Sequence, residues 1–351
     1  MQIALFNLMS QNRADESPAD ILRMTVEKVR LAEAIGMDAT WFAEHHFTSH
    51  SVCPSPLLMA GHCAAVTTRL LLGPAVVVLP LHHPLRVVQE FAMLQAVTGN
   101  RMLLGLGTGH QPHEFATYGI PMADRAAMLE EGFDLIRQGL TTGRVGFAGR
   151  HYSVPDAPIA IVPGGMPPVF LAGGEPALLQ RFARAGASLF ISQGHRRAAA
   201  AIPMCAKILA ALRAGGLPDS ALRLAIQRYV FVTDDKAEAR QAAEGMLRFI
   251  RTTLSLRDPV PPRDGAFMRS VPFEGEPTID WLLANAPIGP AQQVIDRLSE
   301  DYENLSPVHW SLYMGFSGLP APRVLAAVER FGAKVLPALR SLSPQNQRLA
   351  S

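Results

Sequence analysis

Eight short apolar runs, each followed by a stretch with helical spacing, constrain this 351-residue chain more than any other feature. The runs cover residues 2–8, 39–43, 70–79, 101–107, 169–172, 188–192, 222–232 and 308–314. Strands that are apolar on both faces must be covered on both faces, which is the situation of parallel strands joined by helices. The helical stretches carry their own punctuation. Ser17-Pro18 supplies a cap and a proline in the first turn, Leu22, Val26, Val29 and Ala32 recur at helical spacing, and Gly36 stops the run. Repetition of this unit predicts an α/β fold, a closed (β/α)8 TIM barrel. The competing doubly wound sheet needs a glycine-rich turn after its first strand, and that turn is missing. The expected organisation is one barrel domain over 1–351, with insertions near 141–168 and 257–277 where glycine and proline interrupt the rhythm.

Composition narrows the function classes. Lys plus Arg number 32 against 30 Asp plus Glu, a net charge of +2, so no electrostatic footprint for nucleic acid is expected. The longest apolar stretch, Leu70 to Leu81, is broken by Gly73, Pro74 and Pro80 and falls well short of the roughly twenty residues that span a bilayer. The first residues lack the basic region of a signal peptide. Three cysteines, Cys53, Cys63 and Cys205, show no paired spacing and read as reduced thiols. The expectation is a cytoplasmic protein with no membrane and no nucleic-acid partner.

Catalytic residues of such barrels collect where strands run into the loops that follow them. Those ends carry Glu44-His45-His46-Phe47 after the second run, His82-His83-Pro84 after the third, Gly107-Thr108-Gly109-His110 after the fourth and Gly173-Gly174-Glu175 after the fifth. Eight of the eleven histidines lie between His45 and His113. A metal site is one reading of them, but no HExxH occurs, and Glu44 and Glu114 do not fall at a metal-ligand spacing, so no metal is expected. Hydrogen bonding within loops is the other reading, expected for His62, His82, His151 and His309. The Leu104-Gly105-Leu106-Gly107-Thr108-Gly109 cluster reads equally as a glycine-rich loop or as a strand packed closely in a barrel wall. Gly173-Gly174 followed by Glu175-Pro176 places backbone N–H groups at a helix start, as either a phosphate cradle or a plain turn.

Several segments together resemble the bacterial luciferase-like flavin monooxygenases. They are Trp41-Phe42-Ala43-Glu44-His45-His46-Phe47, Gly73-Pro74-Ala75-Val76-Val77-Val78 and the following Leu79-Pro80-Leu81-His82-His83-Pro84-Leu85-Arg86. Asn100 to Gly109, Glu114 to Pro121, Pro168 to Gly174, Arg228 to Asp235, Ile288 to Val294 and Val335 to Arg340 continue the likeness in order along nearly the whole chain.

The resemblance implies a monooxygenase that receives reduced FMN as a co-substrate from a separate flavin reductase and uses O2, through a flavin C4a-peroxide, on a small organic substrate. Reduced flavin overcomes the slow reaction of O2 with closed-shell molecules, and its oxygen adduct needs a dry cavity and a proton-exchanging group. His45 matches the family's imidazole beside the flavin and is the catalytic candidate. Phe6, Trp41, Met59 and Phe47 are expected as apolar wall. Glu44 and Ala75-Val76 are expected at the flavin, the latter as a non-prolyl cis peptide, and Thr108, Arg125, Gly173 and Gly174 at its phosphate. Two other readings share the barrel: a dehydrogenase or reductase using a deazaflavin coenzyme, and a non-catalytic flavin-binding subunit. Arg257, Arg263 and Arg269 in the second insertion could receive an anionic group or lie solvated. A homodimer is expected from the resemblance alone.

Overall fold

The structure, a computed structural model, describes residues 1–13, 15–316 and 318–342. Eight parallel strands form the barrel wall: β1 (Gln2–Asn7), β2 (Ala39–Phe42), β3 (Leu71–Pro74 continued by Val77–Val78), β4 (Leu104–Gly107), β5 (Val169–Ala172), β6 (Ser188–Gly194), β7 (Leu224–Tyr229) and β8 (His309–Tyr313). The hydrogen-bonded order runs from Leu71–Pro74 through β2, β1, β8, β7, β6, β5 and β4 to Val77–Val78. Since the first and last of these segments are halves of one strand, the sheet closes, with a Leu72–Met102 bridge at the seam.

The expected third strand is therefore interrupted. The peptide bond between Ala75 and Val76 is cis, as the resemblance implies, and the chain bulges there before re-pairing with β4 at Val77–Leu106. Glycine spacing in β4 accommodates the bulge. A Cβ at Gly105 would lie 2.1 Å from the Pro74 carbonyl oxygen, and one at Gly107 would lie 2.4 Å from a Val76 methyl. The glycine cluster is thus close packing in the wall, one of its two readings from sequence.

Alternation along the strands divides the core into two layers. Leu5, Phe42, Leu72, Leu104, Leu106 and Leu171 point outward onto the helices, while Ala4, Phe6, Trp41, Leu103 and Phe170 point inward. Trp41 meets Phe170 edge-on at 4.8 Å and donates its indole N–H to His309 Nε2 at 2.7 Å. His309 is consequently a buried barrel residue and not the loop histidine expected, and burial pushes its imidazole down to about 3. Trp41 likewise belongs to the plug below the cavity, and Met59 to the outer layer under the helices.

Other boundaries shift for local reasons. The seventh run is shorter than expected in the barrel, because Phe231–Val232 leaves it to pair with Ile288–Gly289. The first insertion contains an antiparallel hairpin, Arg144–Ala148 with Ser153–Pro158, and the second a short pairing of Arg263–Asp264 with Phe267–Met268. A seven-residue helix, Pro112–Tyr118, fills the loop after β4. Among the described residues no helix is long and apolar enough to cross a membrane.

Candidate active site

A cavity of about 810 Å³ opens at the carboxyl ends of the strands. All of the expected site residues line it: Glu44, His45, Ala75, Val76, Thr108, Arg125, Gly173 and Gly174. Of the expected apolar wall only Phe6 lines it, together with Phe190, Tyr229 and Phe249. Phe47 adopts a left-handed backbone with φ 61° and projects to solvent, so it does not wall the mouth.

The segment after β2 sends successive side chains to different places. His45 faces the cavity. Its Nδ1 lies 2.7 Å from Gln111 Nε2 and 3.5 Å from a Glu114 carboxylate oxygen, and the rings of His50 and His110 stand at 4.9 and 6.1 Å. With Nδ1 engaged, Nε2 is the nitrogen left for a bound molecule. His46 turns away: the Tyr118 hydroxyl lies 3.1 Å from its Nδ1, and its Nε2 lies 2.9 Å from Glu44 Oε1. Its backbone N–H donates to Glu114 at 2.8 Å.

Glu44 was expected beside the flavin, yet its carboxylate is spent inside the protein. It takes hydrogen bonds from His46 and from His82 Nε2 at 2.8 Å on one oxygen, and from the Val78 N–H at 3.1 Å on the other. Burial alone would push this carboxyl up, but the two imidazoles outweigh it and hold it below its ordinary value. His82 responds in kind: burial opposes its charge, and the bond to Glu44 raises it above the ordinary histidine value. Glu44 thereby ties the segment after β2 to the strand that carries the cis peptide.

Glu44, His46 and His82 also place three potential metal-ligand atoms within 4.8 Å of one another, a cluster the sequence spacing did not reveal. Both imidazole Nε2 atoms hydrogen-bond to the same Glu44 oxygen. A Tyr118 hydroxyl donating to His46 Nδ1 leaves Nε2–H to donate to Glu44, which is the wrong tautomer for a ligand at Nε2.

The opposite end of the cavity gathers β5 and β6. Gly174 N–H, expected to be free, donates to Glu175 Oε2 at 3.1 Å. Arg125 stands 3.5 Å from the other Glu175 oxygen, and its buried Nε has no hydrogen-bond partner among the described residues. The Glu175 carboxylate therefore occupies an anion seat built from an amide and a guanidinium. Beside it, space around Gly174 is open, with nothing within 4 Å of where a Cβ would stand. The loop Gln193–Arg196 completes this end and is braced by a buried pair. Arg228 Nε lies 2.8 Å from Asp301 Oδ2, while Arg228 also donates to the carbonyls of Gly194 and Arg196. Gln193 bonds to Asp301 at 3.2 Å. Burial pushes the Asp301 carboxyl up to about 6 despite the guanidinium.

Sequence alone does not single out Gln111, and it names Glu114 and Tyr118 only as a weighed carboxylate and as part of the Glu114 to Pro121 likeness, with no partner in the site; Pro112 in a first helical turn marks where their helix begins. Nothing in the sequence links Arg228 with Asp301.

Comparison with known proteins bears on this site. A luciferase-like monooxygenase family model matches residues 1–309. The uncharacterized protein y4vJ of Sinorhizobium fredii is 29% identical over 343 residues, covering 97% of this chain and 98% of its own length. An F420-dependent glucose-6-phosphate dehydrogenase of Beutenbergia cavernae is 29% identical over 350 residues, with 94% and 96% covered. Among solved structures, monooxygenase RslO1 from Streptomyces bottropensis superimposes with a TM-score of 0.82 at 20% identity, covering 97% of this chain and all of that one. The oxygenating constituent of 3,6-diketocamphane monooxygenase from Pseudomonas putida, in complex with FMN, gives 0.75 at 17% identity, covering 96% and 98%. With the family model spanning most of its length, this chain belongs to the luciferase-like monooxygenases.

Proposed function

We propose that this protein is a flavin-dependent monooxygenase that takes reduced FMN from a separate reductase and uses O2 to oxidise a small organic substrate. The observation that carries the reading is the meeting, in one cavity, of a His45 imidazole with a free Nε2, the Ala75–Val76 bulge and an anion seat at Gly174 and Arg125. The donor set fits the group. A phosphate needs N–H donors and positive charge, and an aromatic ring system needs an apolar wall such as Phe6, Val76 and Tyr229.

Bound reduced flavin supplies the electrons that let O2 attack closed-shell organic molecules. The chain's own residues do the rest. Gln111 holds His45 Nδ1, so that proton exchange with bound molecules runs through Nε2. Phe6, Phe190, Tyr229 and Phe249 keep water from the reacting atoms. Gly174 and Arg125 would hold the cofactor's phosphate only with Glu175 displaced, a competition that would weaken retention and suit a flavin that arrives and leaves each turnover.

A second reading is supported by the F420-dependent relative, which matches across nearly the whole chain. In it the cavity holds the deazaflavin coenzyme and transfers hydride without O2. Parallel assays separate the two. Photoreduced FMN should be consumed with O2 uptake coupled to product when a substrate library is supplied, and reduced F420 should show no enzyme-dependent oxidation. Hydride transfer from F420 with no coupled uptake by FMN would reverse the assignment.

A further inference from the structure

Among the described residues, the cavity lining includes two glutamates and three arginines. Glu44 is neutralised by His46 and His82, and Glu175 by Arg125. Among the described residues, no carboxylate lies at ion-pair distance from the other two guanidiniums, Arg196 and Arg257. Arg196 donates to the carbonyls of Ser192 and Gln193, beside the anion seat at Gly174. Arg257 belongs elsewhere. It follows the helix Lys236–Ser255, whose last turns present Phe249, Ile250, Thr253 and Leu254 to the cavity, and its positive charge is felt at His110. His110 packs towards His45, and His50, next to His45, stacks on Phe249 at 5.6 Å. Arg257 therefore overlooks the imidazole side of the cavity across an apolar surface.

The three arginines of the second insertion now separate. Arg263 donates to the Phe47 carbonyl at 2.9 Å, outside the cavity, and Arg269 does not reach the lining. Only Arg257 does. A guanidinium with no carboxylate partner beside an apolar surface attracts an anion, and its planar fork matches a carboxylate.

We propose that Arg257 is a specificity-determining residue, and that the substrate has an apolar body carrying one carboxylate, which Arg257 binds while the body lies along Phe249, Ile250 and Leu254. The inference rests on the flavin reading only in leaving the Gly174 and Arg196 end to the cofactor.

The test is calorimetric titration of the full chain and of Arg257→Ala and Arg257→Lys with matched pairs: decanoate against decanol, and 3-phenylpropanoate against 3-phenylpropanol. FMN and riboflavin are titrated separately. Because Arg257 is solvent-accessible, the wild type should favour at least one carboxylate over its alcohol by roughly tenfold. Arg257→Ala should lose that preference, Arg257→Lys should keep part of it, and the preference for FMN over riboflavin should stay unchanged in both. Equal binding of acid and alcohol by the wild type, no binding of any probe, or a preference retained in Arg257→Ala would overturn the proposal. So would a preference for FMN over riboflavin that collapses in Arg257→Ala, since Arg257 would then serve the cofactor's phosphate. Failure of the flavin reading shows separately, as no uptake of FMN or riboflavin by the wild type.

Discussion

Replacing Glu44 by glutamine changes one charge and one hydrogen-bond direction while leaving the shape of the site in place. In the native protein one oxygen of Glu44 receives two imidazole N–H bonds, and the other receives the Val78 N–H at 3.1 Å. Glutamine retains a single acceptor. If that oxygen faces the histidines, the new amide NH2 confronts the Val78 N–H, and a buried donor left unmatched costs about 1–3 kcal/mol. The two histidine bonds also pass from charge-assisted to neutral, a loss of about 1 kcal/mol each. The total is about 3–5 kcal/mol, enough to lower Tm by roughly 5–10 °C in a chain of this size. The effect depends on pH with a definite sign. Glu44 titrates below its ordinary 4.5, so its contribution is present above that value and fades as pH falls through the depressed one. His82 titrates above its ordinary 6.5, so its contribution is present below that value and fades as pH rises through the elevated one. The gap between wild type and Glu44→Gln should therefore be widest between about pH 5 and 6.5 and narrow on either side. Urea denaturation of both proteins at about pH 4, 6 and 9 reads it directly. Coincident midpoints, or a gap that ignores pH, would refute the network as described.

Glycine substitutions probe the cavity floor. Gly105→Ala drives a Cβ to 2.1 Å from the Pro74 carbonyl and Gly107→Ala to 2.4 Å from Val76, and each should cost at least about 1–3 kcal/mol and weaken flavin uptake. Gly174→Ala meets nothing within 4 Å and should denature like wild type, which thermal scans of all three would check. Asp301→Asn leaves the Arg228 guanidinium buried without its counterion and should cost about 3–5 kcal/mol, while loosening the Gln193–Arg196 loop enough to lower FMN affinity in a titration. Gln111→Leu removes the partner of His45 Nδ1, so kcat should fall by at least roughly tenfold with flavin affinity unchanged. Equal losses in both would make Gln111 a structural residue instead.

How far the sequence could be read depended on the distance over which each signal acts. Strand and helix periodicities are local, and they carried the barrel and the loops where Glu44, His45, Thr108 and Gly173-Gly174 gather. The break in β3 was invisible to that pattern, because Ala75 and Val76 look like any strand residues, and only the family likeness pointed to the cis bond. Pro112–Tyr118 spans seven residues, too short for a helical period to show, so the sequence gives no sign that Gln111 and Glu114 meet His45. Trp41 was misplaced because inward positions low on a barrel strand plug the core, whereas those at its top line the mouth. Glu175 read as a helix-start residue, and its seat between Gly174 and Arg125 depends on tertiary contact that no local pattern encodes.

Crystals soaked with FMN put the whole account at stake in one map. The isoalloxazine should lie against the Ala75–Val76 bulge within reach of His45 Nε2, with the phosphate on the Gly174 amide and the Glu175 carboxylate displaced from it. A ring found at the amino-terminal face of the barrel, or a phosphate seated away from Gly174 with Glu175 still in place, would contradict it.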